Sequence, residues 1–126
     1  MNTEGRPLSP HLTIYRWPIT MTLSILHRIT GVALSLGLVA WAVWLQAIAF
    51  ETVPYQPFLE FSRSIVGRVL LLGWCFAFFF HFANGIRHLT WDTGRLFSRE
   101  QARASSWVVL IAAIAMTAIY WLLVGR

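Results

Sequence analysis

The sequence predicts an all-α integral membrane protein with three transmembrane helices. Three observations carry that prediction. Of 126 residues, 57% are apolar and only 12% are charged, against about 25% charged in a typical soluble domain. The apolar residues are also gathered into runs. The stretch "GVALSLGLVAWAVWLQAIAF" (31–50) and the stretch "WVVLIAAIAMTAIYWLLV" (107–124) contain no charge at all. At about 1.5 Å per residue each is long enough for a hydrocarbon core of about 30 Å. Between them, Val69 to Phe82 is apolar except for His81, and it reaches spanning length if Ile65 begins it and Ile86 ends it.

The whole chain, 1–126, reads as a single membrane domain with helices at about 18–50, 65–90 and 105–125. Residues 1–17 form a polar, Pro-containing segment on the cytoplasmic side. It ends in Tyr15 and Trp17, whose amphipathic rings suit the headgroup region. Pro18 opens the first helix, where its missing N–H costs nothing. From 18 to 50 that helix is about 50 Å long, more than the hydrocarbon needs, so its first ten or so residues belong at the cytoplasmic boundary. The prolines of "TVPYQPF" (52–58) break it and form an outer loop. The second and third spans follow, joined by a loop taken as 88–105.

The net charge of +5 arises wholly from arginine. Arg6, Arg16 and Arg28 precede the uncharged run of the first helix, and Arg87, Arg95, Arg99 and Arg103 lie between the second and third. The 51–64 loop sets Glu51 and Glu60 against Arg63. Basic residues favour the cytoplasmic side, so the N-terminus and the 88–105 loop are expected there and the C-terminus opposite. The charge is thereby explained by orientation, and no nucleic-acid partner is expected. The stretch "MNTEGRPLSPHL" has no apolar core and no Arg/Ser-rich amphipathic pattern, so the first helix is read as a retained anchor and the location as a bacterial inner membrane. Cys75, the single cysteine, lies mid-helix and has no partner for an internal disulfide.

Two polar faces interrupt the apolar pattern. On the first helix, Ser24, His27, Arg28 and Gly31 follow spacings of three, one and three, and Ser35 continues the stripe. Hydroxyl, imidazole and guanidinium donors do not face hydrocarbon cheaply, so this stripe is expected to meet a partner helix, a cofactor or water. The plainer alternative is that His27 and Arg28 snorkel to headgroups, and that Gly31 and Ser35 are a small-residue packing pair. On the second helix, Gly73, Ala77, His81, Gly85, His88 and Asp92 recur at spacings of four, four, four, three and four, which keeps them within about 120° of one another. Phe78, Phe79, Phe80 and Phe82 are expected to point mostly elsewhere. Small residues around His81 would let a flat macrocycle lie against the helix, with His81 as an axial ligand to haem iron. His88 lies seven residues further on, about 10 Å along the axis and level with His27 and Arg28. Those cationic and donor groups suit the anionic propionates. No second histidine lies at the depth of His81, so a second axial ligand would come from another chain. Asp92, one turn beyond His88, is a candidate for a proton path, or else pairs with His88 or Arg95 and caps the helix.

The stretches "RPLSPHLTIYRWPIT", "SILHRITG" and "HFANGIRHLTWD" resemble the cytochrome b subunits of succinate dehydrogenase, the larger membrane anchors of respiratory complex II. The pattern S-x-x-H-R-x-[ST]-G followed about fifty residues later by H-x-x-x-G-x-R-H is specific, and the match covers nearly the whole chain. The resemblance implies a bundle of helices from more than one subunit around haem b. It implies His81 as this chain's axial ligand, with the other ligand on a smaller membrane anchor subunit. It implies His27, Arg28 and His88 near the propionates, and Ser24 and Arg28 in the ubiquinone pocket beside the iron–sulfur subunit, with Ile25 and Trp17 at its edge. A flavoprotein subunit would complete the enzyme. The chain shows no flavin, nucleotide or iron–sulfur motif, so by itself it is not expected to oxidise succinate. The chemistry agrees independently: a reducing quinone carbonyl gains negative charge, and a placed hydroxyl and guanidinium stabilise that charge. Two other readings stand beside this one. A small multi-helix transporter would need an ionisable residue deep in a span, and only His81 qualifies. A haem-free structural anchor would show no b-type absorption.

Overall fold

The computed structural model describes residues 15–52 and 54–124. Most of the predicted 1–17 segment, including Arg6, and the last residue of the predicted 105–125 helix lie outside the described residues. Among the described residues there are four helices and no strand: α1 (Ile19–Ala49), α2 (Tyr55–Arg63), α3 (Ile65–Asp92) and α4 (Arg99–Val124). Three of them, α1, α3 and α4, are long and apolar enough to cross a membrane. The all-α expectation with three spans therefore holds.

Helix α1 starts one residue later than expected. Pro18 is its N-cap rather than its first residue, and the Pro18 carbonyl accepts from Met21 and Thr22 N–H. Its far end is closed by Glu51, which takes the left-handed conformation (φ 56°). Glu51 N–H donates to Ile48 O at 3.0 Å and Thr52 N–H to Ala47 O at 2.8 Å, the two backbone bonds of a Schellman motif. The next segment is not a simple loop. Helix α2 begins after Pro54 and tolerates Pro57 because first-turn N–H groups have no helical acceptor anyway. Ser64 ends α2 and caps α3, its Oγ accepting from Gly67 N–H at 3.1 Å.

The corner between α2 and α3 depends on Gly67. A Cβ there would sit 2.0 Å from the Phe61 carbonyl oxygen and 2.9 Å from the Ser62 Cα. Backbone cannot yield as a side chain can, so Gly67→Ala is expected to cost about 1–3 kcal/mol. A thermal melt of the purified protein checks this, and an unchanged melting temperature would show that the corner relaxes freely.

Helix α3 runs to Asp92, so the expected 88–105 loop shrinks to residues 93–98. The stop is a second Schellman motif around Gly94 (φ 79°), with Gly94 N–H on Trp91 O at 2.8 Å and Arg95 N–H on Thr90 O at 3.4 Å. Backbone groups close this end, in place of the capping considered for Asp92. Ser98 then caps α4, accepting from Gln101 N–H at 3.2 Å.

Helix α3 is central and packs against all three others. The enclosed apolar core is small: Leu23, Phe80, Val109 and Ala113, with Ile19, Phe76, Phe79 and Ala83 against it. Many large apolar side chains point outward, including Val32, Leu36, Val39, Trp41, Ile111 and Leu122. An outward apolar surface is what lipid and neighbouring membrane helices require.

Candidate functional site

The histidines of the two helices meet. The His27 ring of α1 stacks on the His81 ring of α3, with centroids 3.9 Å apart and planes 11° apart. His88 approaches the other side of the grouping, 5.0 Å from His27, and packs edge-on against Trp91 at 5.1 Å. The seven-residue spacing of His81 and His88 thus brackets one imidazole of α1. His27 lies at the depth of His81, contrary to the expectation that no second histidine does, because the close approach of the helices at Gly31 brings the two rings face to face. All three are half-buried. His27 Nδ1 is buried with no hydrogen-bond partner among the described residues.

His81 is held by polar atoms of α1. Its Nδ1 lies 3.1 Å from the His27 carbonyl oxygen and 3.2 Å from Thr30 Oγ1. A carbonyl oxygen only accepts, so Nδ1 must carry the proton, and Nε2 keeps its lone pair. Gly31 makes the approach possible: a Cβ there would lie 3.0 Å from His81 Cε1. Gly31 therefore seats the imidazole on α1, a more specific role than the packing pair with Ser35. The Ser35 hydroxyl bonds back to Gly31 O at 2.9 Å.

On its other side His81 borders an apolar groove of about 890 Å³, lined by Leu34, Gly37, Trp41, Trp74, Phe78 and Phe82 among others. That volume is in the range of small-molecule and cofactor sites. The groove differs from the expected one. A Cβ on Gly73 or Gly85 would meet nothing within 4 Å, so both border open space, but neither lines this groove, whereas Phe78 and Phe82 do. The small residue that opens it is Gly37, over which the Trp74 indole lies so closely that a Cβ would overlap it.

The remaining predicted site residues lie toward the end of the bundle that carries the 93–98 loop. Ser24 is half-buried and Arg28 exposed, one turn apart on α1. Ile25 and Trp17 are exposed near them, and Asp92 is exposed at the end of α3. The stripe of α1 is therefore divided: His27 and Gly31 meet α3, with buried Leu23 and Thr30 beside them, while Arg28 stands free at the rim.

Sequence reasoning assigned no part to Thr30 or Asn84, and counted Arg87 only as an orienting charge. Arg87 is 4% exposed. Its Nε donates to Ser105 Oγ at 2.9 Å, one terminal nitrogen to Asn84 Oδ1 at 3.3 Å and the other to Ala102 O at 3.1 Å. Its Cζ sits 4.0 Å from the centre of the Trp91 ring. The three-residue spacing of Asn84 and Arg87 on one helix was the available signal.

The comparisons with known proteins identify the family. Residues 2–120 match the family model described as succinate dehydrogenase/fumarate reductase transmembrane subunit. The succinate dehydrogenase cytochrome b556 subunit of Rickettsia felis is 40% identical over 116 residues, covering 92% of this chain and 90% of the relative. That of Paracoccus denitrificans is 39% identical, covering 92% and 89%. The mitochondrial cytochrome b560 subunit of Sus scrofa is 41% identical over 118 residues, covering 88% of this chain and 67% of the relative. With a family match across nearly its whole length and three helices of spanning length, this chain belongs to the succinate dehydrogenase/fumarate reductase transmembrane subunit family.

Proposed function

We propose that this multi-pass membrane subunit of the succinate dehydrogenase complex contributes His81 as one axial ligand of haem b and Ser24 and Arg28 to a ubiquinone-reduction site. The observation that carries the haem assignment is the hydrogen bonding of His81. Its Nδ1–H is taken up by the His27 carbonyl and Thr30 Oγ1, and Nε2 makes no hydrogen bond among the described residues. Histidines that bind metals usually have this pattern, the distal N–H anchored and the other nitrogen free. The apolar groove beside the ring suits an apolar macrocycle, and the donor set suits the group. When bound, haem supplies a one-electron carrier between the helices.

The chain's own residues do the rest. His81 anchors its Nδ1 on α1 and keeps Nε2 for the metal. His27, Arg28 and His88 supply donors and positive charge for the propionates, and the unpartnered His27 Nδ1 favours such an acceptor. Ser24 donates a hydroxyl proton to a quinone carbonyl, and Arg28 balances the negative charge that develops there. Ile25 and Trp17 bound the ring, and Asp92 stands where a proton path would leave toward the aqueous side.

Nothing in this chain oxidises succinate. The flavoprotein and iron–sulfur subunits do that and deliver electrons to the rim, and a smaller membrane anchor supplies the second axial ligand. The arginines Arg95, Arg99 and Arg103 are all exposed around the 93–98 loop. They support a cytoplasmic assignment for that end in a bacterial inner membrane. The transporter and haem-free readings are not favoured, given the family to which the chain belongs.

The test is His81→Ala in the assembled complex. Its reduced-minus-oxidised spectrum is expected to lose or strongly weaken the b-type band while complex content stays near parental. An unaltered band would exclude His81 as ligand.

A further inference from the structure

The pattern S-x-x-H-R-x-[ST]-G supplies Ser24, His27 and Arg28 to the reading above and leaves Thr30 without a function. Thr30 is buried at 9% exposure, although it is polar and sits one turn from His27. Its hydroxyl has a single proton. Two acceptors on its own helix compete for that proton, Leu26 O at 2.8 Å and His27 O at 3.0 Å. A β-branched side chain bonded in this way to the preceding turn has little torsional freedom. Toward α3, Thr30 therefore presents oxygen lone pairs, and these face His81 Nδ1 at 3.2 Å.

We infer that Thr30 is a positioning residue for His81: its Oγ1 and the His27 carbonyl together accept from Nδ1–H, fixing both the tautomer and the ring plane. The inference rests on His81 being the haem ligand. Two acceptors bracketing one N–H do more than one would. They disfavour the ring flipped by half a turn, which would place a carbon against both oxygens. They also draw the Nδ1 proton outward, which makes Nε2 a stronger electron donor to a metal. A stronger donor favours the oxidised iron. Gly31 complements this, since its missing Cβ leaves room for the imidazole to lie close against α1.

The experiment compares Thr30→Val, Thr30→Ser and His81→Ala in the assembled complex, reading haem content and the haem midpoint potential. Valine keeps the shape and removes the oxygen, whereas serine keeps the oxygen and removes the methyl. Thr30→Val is expected to lower haem affinity about tenfold, the low end for loss of such a partner because the His27 carbonyl remains. The haem it retains is expected to titrate at a higher potential. Thr30→Ser is expected to stay near the parent in both. If the valine variant keeps the parental potential, or if serine and valine are equally impaired, Thr30 is only a packing residue and the inference falls. If His81→Ala keeps an unaltered b-type spectrum, the ligand assignment falls and the role of Thr30 with it. If His81→Ala loses the band while Thr30→Val matches the parent, the Thr30 inference alone fails.

Discussion

Ser24→Ala and Arg28→Leu are expected to slow quinone-coupled succinate oxidation by about 10²–10³-fold, with oxidation by an artificial acceptor near parental. The reason is a division of labour. In the proposed function, succinate is oxidised on the soluble subunits, and an artificial acceptor would take electrons before they reach this chain. Ser24 and Arg28 stand one turn apart at the rim of α1, where Arg28 is exposed and Ser24 half-buried. Charge appears on the quinone oxygens only as electrons arrive, so donors aimed there bind the transition state better than the ground state. Losing one such donor costs about 2.7–4 kcal/mol in a site closed to water. The effect of Arg28 should be at least as large, because it also faces the proposed propionate end, and some haem loss should accompany it. The measurement is the ratio of the two rates in membranes matched for complex content. A parallel fall of both rates would mean that these residues support assembly. Parental values for both would make them interface residues and nothing more.

The three spans were legible because uncharged runs of eighteen or more residues have few other uses in a chain this short. Their ends were less so, for identifiable reasons. The prolines of "TVPYQPF" read as breakers, yet Pro54 and Pro57 fall at the cap and first turn of α2, where a missing N–H is harmless. Helix α3 outlasts its apolar run because Gly94, not the loss of hydrophobicity, ends it. The histidine spacing put His27 level with His88 and about 10 Å along the axis from His81, whereas the His27 ring stacks on His81 at 3.9 Å and lies 5.0 Å from His88. Nor did the spacing show which side of α3 faced α1. That was decided by the absent Cβ of Gly31, which admits the His81 ring, and by the bulk of Trp74 against Gly37. Periodicity places residues on a face, but close approach between two helices depends on the partner's surface, which one helix's pattern does not contain.

Arg87→Leu is expected to destabilise the subunit by about 2–3 kcal/mol, the scale of a buried hydrogen-bonded charge, without a selective loss of quinone coupling. By sequence Arg87 belongs with the orienting charges beside Arg95 and Arg99. In the structure it is a strut between α3 and α4. Its planar fork reaches three acceptors at once: Ser105 Oγ, Asn84 Oδ1 and Ala102 O. Leucine fills much of the space but donates to none of them. Asn84 suffers most, since it is fully buried and its Nδ2 already has no partner among the described residues. Without Arg87 its Oδ1 is orphaned as well, and an unsatisfied buried polar group costs about 1–3 kcal/mol. Arg87→Lys should recover only part of the loss, because a point ammonium does not reproduce a bidentate fork or its stacking on Trp91. Membrane interiors temper such effects, because a loosened polar group finds other partners, and this keeps the loss below that of a buried charge in a soluble core. Thermal melts of the detergent-solubilised complex, followed by tryptophan fluorescence, give the order parent, lysine, leucine. A leucine variant that melts with the parent would refute the strut. One that melts normally but loses quinone-coupled activity would move Arg87 from the scaffold into the site.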